Sequence, residues 1–120
     1  INWAERAHTY LLETENFKKE DYTRDDLSAA LGTNRQYLID AIKAETGKTF
    51  KDYINSIRIE YAYELLITDD TATIESIYMS AGFTTRSTFN RLFKEQYPMN
   101  PTEMREAARQ KEAEIINKDK

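Results

Sequence analysis

The chain has 120 residues, 40% of them hydrophobic and 32% charged, enough for one domain or two very small ones sharing a core. Its 3 glycines and 2 prolines are too few for a many-turned β-sandwich or a glycine-loop nucleotide enzyme. With no cysteine and one histidine, His8, there is no disulfide framework, no thiolate zinc site and no histidine-based metal site, and the net charge of −4 argues against casual assignment to nucleic acid.

The first predicted helix runs from Trp3 to about Glu15, with Trp3, Ala7, Tyr10 and Leu11 at helical spacing. Residues 16–22 read as a polar connection. Thr23 then caps a short helix with acids in its first turn, ending at Leu31 and burying Leu27, Ala30 and Leu31. Gly32 stops it. Asn34 caps the next helix, to about Glu45, with Leu38, Ala41 and Ile42 inward and Gln36, Ile39, Asp40 and Lys43 outward. Gly47 ends that helix, and Thr49 starts a long one, about 50–67, burying Tyr53, Ile54, Ile57, Tyr61 and Leu65. Residues 68–73 are a polar break. Thr73 caps a helix through Ala81, with Ile74 and Ile77 inward, and Gly82 ends it. Thr84 or Thr85 caps the following helix, to about Gln96, with Phe89, Leu92 and Phe93 inward. Asn100-Pro101 opens a last helix to about Asn117. The reading is all-α, with seven helices.

Charge is unevenly spread along this order. Residues 1–31 carry four basic and seven acidic side chains, 32–58 five and three, 59–82 none and five, and 83–120 eight and six. The two positive segments share a pattern. Gly32 and Gly82 lie 50 apart, and after a one-residue insertion Leu38/Phe89, Ile42/Phe93, Lys43/Lys94 and Thr49/Asn100 match at 51. Each copy is a short helix, a glycine turn, a second amphipathic helix and a capped third: a helix-turn-helix. The second helix of such a motif fits the major groove while the first braces it. In the second copy its outward face is Arg86, Ser87, Asn90, Arg91 and Lys94, donors and small polar groups suited to base edges. In the first copy it is Arg35, Gln36, Ile39, Asp40 and Lys43. Helix starts at Asn34, Thr84 and Thr85 suit phosphate. Two recognition helices on one face of B-DNA must stand ~34 Å apart, and a connecting helix of ~25 Å is a fitting ruler.

From Arg24 to about Arg105 the chain resembles the DNA-binding domain of the AraC/XylS family of bacterial transcription regulators. The resemblance is carried by Gly32, Tyr37-Leu38, Lys43-Ala44-Glu45-Thr46-Gly47, Phe50, Tyr53-Ile54, Arg58, Ala62 and Leu65-Leu66. It continues through Ile74, Ile77, Gly82-Phe83, Ser87, Phe89, Arg91, Phe93-Lys94, Pro101 and Arg105. It implies two homeodomain-like helix-turn-helix units, 1–49 and 68–105, joined by a linker helix 50–67, with 106–120 as a C-terminal helical extension. It also implies that a monomer inserts helices 34–45 and 85–96 into successive major grooves. By position, Gln36, Ile39, Asp40, Arg86, Ser87, Asn90 and Arg91 would face bases. Asn34, Arg35, Lys43, Thr84, Thr85 and Lys94 are expected at phosphates. Three departures stand out: Asp40 where the family often has Arg, Tyr78 where it has a small residue, and Tyr97-Pro98 in place of aromatic-Gly. Asp40 could accept from cytosine N4, yet an acid is repelled by phosphate, so a helix-surface or salt-bridge role competes with base reading.

The expected function is sequence-specific binding of double-stranded DNA as the output domain of a regulator. The alternative is a helical protein-interaction module with weak or lost DNA binding. No nucleophile–base pair, phosphate loop or metal cluster suggests an enzyme, and no cofactor is expected. Expected partners are double-stranded DNA, RNA polymerase and an N-terminal sensor or signalling domain of the same chain. The opening Ile1-Asn2-Trp3, without Met or a signal-peptide pattern, reads as the start of a fragment. The expected location is the cytoplasm, at the nucleoid, with a parent either soluble or membrane-tethered.

Overall fold

A computed structural model describes residues 1–118 of the chain. Among these are seven helices and no strand: α1 (Trp3–Thr14), α2 (Arg24–Leu31), α3 (Arg35–Thr46), α4 (Phe50–Thr68), α5 (Ile74–Ala81), α6 (Arg86–Gln96) and α7 (Pro101–Lys118). A single 3-10 turn, Asn16–Lys18, follows α1. The end of the predicted extension 106–120 lies outside the described residues. The chain forms two compact units, Ile1–Arg58 and the residues from Ile59 on, so the division falls inside α4. Among the described residues no helix is long and apolar enough to cross a membrane.

Local chemistry sets the helix ends. Thr23 and Asp26 form a reciprocal cap at α2: the Asp26 amide donates to Thr23 Oγ1 at 3.1 Å and the Thr23 amide to Asp26 Oδ2 at 2.9 Å. Asn100 and Glu103 repeat the device at α7. Asn34 caps α3, Thr73 caps α5 and Thr85, rather than Thr84, caps α6. The turns after α2 and α5 have one geometry. Gly32 (φ 69°) and Gly82 (φ 107°) adopt the left-handed conformation, and the next amides, Thr33 and Phe83, reach back to the carbonyls of Ser28 and Tyr78 at 3.0 Å each. This is the Schellman arrangement, which glycine enters without a Cβ penalty. The repeat read in the sequence is thus a repeat of backbone turn as well as of side chains.

In the first unit Ala7, Leu11, Phe17, Leu27, Leu38, Ile42, Tyr53, Ile54 and Ile57 are buried, and α1 packs on α3. In the second the core is Ile59, Ala62, Leu66, Ile77, Tyr78, Ala81, Phe83, Phe89 and Phe93. Phe89 sits at its centre, with ring centroids 5.5 Å from Tyr78, 5.6 Å from Phe83 and 5.7 Å from Phe93. Tyr78, where the resemblance implies a small residue, is therefore accommodated as part of an aromatic cluster. Tyr97, at the third departure, stacks on Tyr63 at 4.5 Å.

Several expectations are corrected. α1 ends at Thr14; Glu15 is itself left-handed (φ 58°), its amide bonded to Leu11 O and its carboxylate 3.0 Å from Lys18 Nζ. The connection 16–22 is not simply polar, because Phe17 is buried. On α2 Ser28 is buried and Ala30 is exposed, the serine hydroxyl being satisfied by donation to Asp25 O at 3.2 Å. Leu31, Ala41, Tyr61, Leu65, Ile74 and Leu92 are half-buried rather than fully inward, and the buried stripe of the second part of α4 is Ile59, Ala62 and Leu66.

Two arginines are nearly buried, each 8% exposed. Arg58 donates through Nε to Phe17 O (2.7 Å), through Nη2 to Lys19 O (2.7 Å) and through Nη1 to Asn55 Oδ1 (3.1 Å). Arg105 donates to Leu66 O (3.3 Å), Ala72 O (2.6 Å) and Asp69 O (3.0 Å). In both units a guanidinium fork fastens the backbone that leads into the first helix of the motif. Burial pulls the Arg58 guanidinium below its ordinary pKa, and the Glu20 carboxylate acts the other way.

Acid should loosen these lead-in segments. Bonds from the Thr23 amide and side chain hold the Asp26 carboxyl below its ordinary value, and the Thr71 hydroxyl and amide do the same for Asp69. A carboxyl whose pKa is depressed by folding adds stability that is complete above its unfolded pKa and is lost as pH falls through the folded value. Melting temperature is expected to be flat from pH 7 to about 5 and to drop below about pH 4. Replacing both by Asn should flatten that acid limb in thermal scans; an unchanged limb would place the acid sensitivity elsewhere.

Candidate nucleic-acid interface

α3 and α6 are the second helices of the two motifs, and each shows its outward face to solvent. On α6 Arg86, Ser87, Arg91 and Lys94 are exposed and Asn90 is half-buried. Among the described residues the side chains of Arg86, Ser87, Asn90 and Lys94 make no hydrogen bond or ion pair. Arg91 Nη1 lies 3.3 Å from Glu95 Oε1, one turn on, with both side chains 62% exposed. Such a pair contributes little and is readily exchanged for another anion. The Thr85 hydroxyl is occupied: Oγ1 accepts from the Thr88 amide at 3.3 Å and pairs with Thr88 Oγ1 at 3.0 Å. The amides of Arg86 and Ser87 remain as donors in the first turn of α6, where the helix dipole favours anions. Thr84 is exposed beside them.

α3 differs in that its polar side chains already have partners. Gln36 and Asp40 are exposed, and Gln36 Nε2 donates to Asp40 Oδ1 at 2.8 Å. Ile39 is half-buried. Arg35 lies 3.4 Å from Asp25 on α2. Lys43 Nζ donates to Gly47 O at 3.0 Å and so covers the C-terminal end of its own helix. Asn34, exposed, accepts through Oδ1 from the Gln36 amide (2.7 Å) and the Tyr37 amide (3.4 Å). Asp40 thus makes a hydrogen bond on the helix surface, and no ion pair to it occurs among the described residues.

Three residues beside these faces were not picked out from sequence. Tyr37, 66% exposed, stands on α3 beside Gln36; its position off the Leu38–Ile42 stripe was the available signal. Glu95 is found by its i,i+4 spacing from Arg91. Asp25 reaches Arg35 across the turn, ten residues away, a contact visible only after folding.

A family model described as a helix-turn-helix domain matches residues 27–107, spanning both motifs. The chain belongs to the AraC-type helix-turn-helix family. This is a family of DNA-binding transcription regulators. The HTH-type transcriptional regulator MtrA of Neisseria gonorrhoeae is 27% identical over 110 residues, covering 91% of this chain and 36% of that protein. The AraC-type chain described here therefore spans about a third of that relative's length. The C-terminal domain of AraT, a response regulator of Geobacillus stearothermophilus, superposes with a TM-score of 0.74 at 28% identity, covering 89% of this chain and 86% of that one. The DNA-binding domain of AdpA, a global transcriptional factor solved in complex with a target DNA, shares the fold with a TM-score of 0.76 at 19% identity, over 92% and 96% of the two chains. The expected all-α, seven-helix fold with two helix-turn-helix motifs is borne out.

Proposed function

We propose that the chain is the output domain of a bacterial transcription regulator and binds double-stranded DNA sequence-specifically, with α3 and α6 entering successive major grooves. In this reading 1–49 and 68–105 act as the two helix-turn-helix units, 50–67 as the linker helix and 106–120 as an extension. Gln36, Ile39, Asp40, Arg86, Ser87, Asn90 and Arg91 face bases. Asn34, Arg35, Lys43, Thr84, Thr85 and Lys94 serve phosphates. The rest of the parent supplies a sensor or signalling domain, since the match covers only 36% of MtrA and 32% of the Vibrio cholerae regulator; RNA polymerase is the downstream partner, the cytoplasmic nucleoid is the location and the role is binding rather than catalysis. The observation that carries the reading is the outward face of α6, where Arg86, Ser87, Asn90 and Lys94 stand uncommitted beside a weakly held Arg91. α3 contributes less, because Arg35 and Lys43 must first leave Asp25 and Gly47 O.

The test is selection of a duplex from random sequence, followed by titration at rising salt. Binding should weaken steeply as counterions released by Lys and Arg are re-bound. No detectable binding at ~50 mM salt by folded protein would instead favour a protein-interaction module. On the selected duplex, Arg91→Ala is expected to lose about 1–3 kcal/mol, while Glu95→Gln, which frees Arg91 and removes a repelling charge, should bind more tightly. An equal loss on random DNA would make Arg91 a phosphate contact, and no loss on either would remove it from the interface.

A further inference from the structure

Asp40 is an acid on the face of α3 that is proposed to meet DNA, and repulsion alone offers no reason for it to be there. Its hydrogen bond to Gln36 does. Gln36 Nε2 lies 2.8 Å from Asp40 Oδ1, one helical turn away, and both side chains are exposed. An ionised carboxylate accepts and cannot donate. The Gln36 amide must therefore turn its nitrogen towards Asp40 and its oxygen away, so the two flipped orientations of the amide are not equivalent here. The nitrogen carries two hydrogens, and Asp40 takes one. With Asp40 taking the hydrogen anti to Oε1, the syn hydrogen and Oε1 remain, a donor beside an acceptor on one planar edge. That pair complements adenine in the major groove, with N7 accepting and N6 donating.

We propose that Asp40 is a positioning residue that holds Gln36 in the one amide orientation able to read an adenine bidentately. The proposal rests on the DNA-binding reading and adds to it a division of labour on α3: Gln36 touches the base and Asp40 acts through Gln36. Glutamine is long and loses much side-chain freedom when fixed. A partner that fixes it before docking spares that loss at the moment of binding. The same carboxylate repels phosphates whatever the sequence. The two roles have opposite signs, which makes the idea testable: removing Asp40 must raise affinity for DNA in general and lower discrimination at one A·T pair.

The experiment compares wild type, Asp40→Ala, Asp40→Asn, Gln36→Ala and the double Gln36→Ala/Asp40→Ala variant, after thermal scans confirm that each is folded. Each is titrated against the wild-type selected duplex and its single-base-pair substitutions at fixed salt. Asp40→Ala is expected to bind random duplex more tightly and to lose fivefold or more of the preference for adenine at a single position. Asp40→Asn, which keeps an acceptor and drops the charge, should gain the general affinity while retaining most of that preference. In the Gln36→Ala background, Asp40→Ala should change discrimination nowhere. Preference unchanged at every position in Asp40→Ala overturns the proposal. So does loss of preference at a G·C pair that persists without Gln36, which would show Asp40 reading cytosine itself. NMR of the free protein reads the pairing without DNA: the Gln36 side-chain amide signals should move in Asp40→Ala, and static signals overturn the proposal whatever the titrations give. Failure of the DNA-binding reading is seen separately, in a wild type that selects and binds no duplex.

Discussion

Arg58→Ala is expected to destabilise the first unit by about 3–5 kcal/mol, the loss of two charge-assisted hydrogen bonds at about 1.5–3 kcal/mol each from a nearly buried guanidinium. The guanidinium reaches Phe17 O and Lys19 O at 2.7 Å each, and these carbonyls lie in the segment between α1 and α2. That segment has only one 3-10 turn of regular structure, and the fork ties it to α4 at Phe17 O and at Lys19 O, which also accepts from the Tyr22 amide at 3.2 Å. Alanine would remove the charged donor from both carbonyls beside buried Phe17. Lysine would not rescue the loss, because a single ammonium cannot span carbonyls that the planar fork meets together. Denaturant titration with amide exchange tests this: protection should fall in α1 and α2. A variant within about 0.5 kcal/mol of wild type would show that water replaces the fork and that Arg58 does not hold the segment.

Phe89→Ala carries a comparable penalty in the second unit, about 3–5 kcal/mol for a fully buried phenylalanine. Three rings, those of Tyr78, Phe83 and Phe93, have centroids within 5.7 Å of it, so the cavity would open among large side chains with little room to collapse. α6 is positioned by Phe89 and Phe93, and the exposed Arg86 and Arg91 ride on the same helix. DNA binding by Phe89→Ala should therefore fall with stability. Phe89→Leu should retain more of both. Full DNA affinity with normal melting in Phe89→Ala would mean that α6 is held by other contacts.

Much of the scaffold was readable from the chain because its signals are short-range. Thr23, Asn34, Thr73 and Thr85 cap with side chains that reach two or three residues, and Gly32 and Gly82 stop helices through their own φ. Which residues face inward was less readable. A helical wheel gives a stripe, but the partner surface decides its centre, and so Ser28 entered the first core while Ala30 did not, and Tyr61 and Leu65 stayed half-exposed. The arginine forks were the least readable. Arg58 and Arg105 find their carbonyls 33 to 41 residues away, and nothing local distinguishes such an arginine from a solvated one. In the candidate site, exposure of Gln36, Asp40, Arg86, Ser87 and Arg91 followed from the wheel. The acids that occupy Arg35 and Gln36 did not, because they depend on rotamers and on how α2 meets α3.

Because Gln36, Asp40, Arg86, Ser87 and Arg91 stand outside both cores, while Leu38, Ile42, Phe89 and Phe93 hold their helices in place, the vocabulary of the module is separable from its grammar. In the proposed DNA-binding reading, drift at those five positions exchanges one preferred operator for another without touching either core. Ile39 and Asn90, half inside, couple the two and limit how far such rewriting can go. A lineage that duplicates this gene therefore has an open route to new regulons through its surface, and a narrow one through its interior.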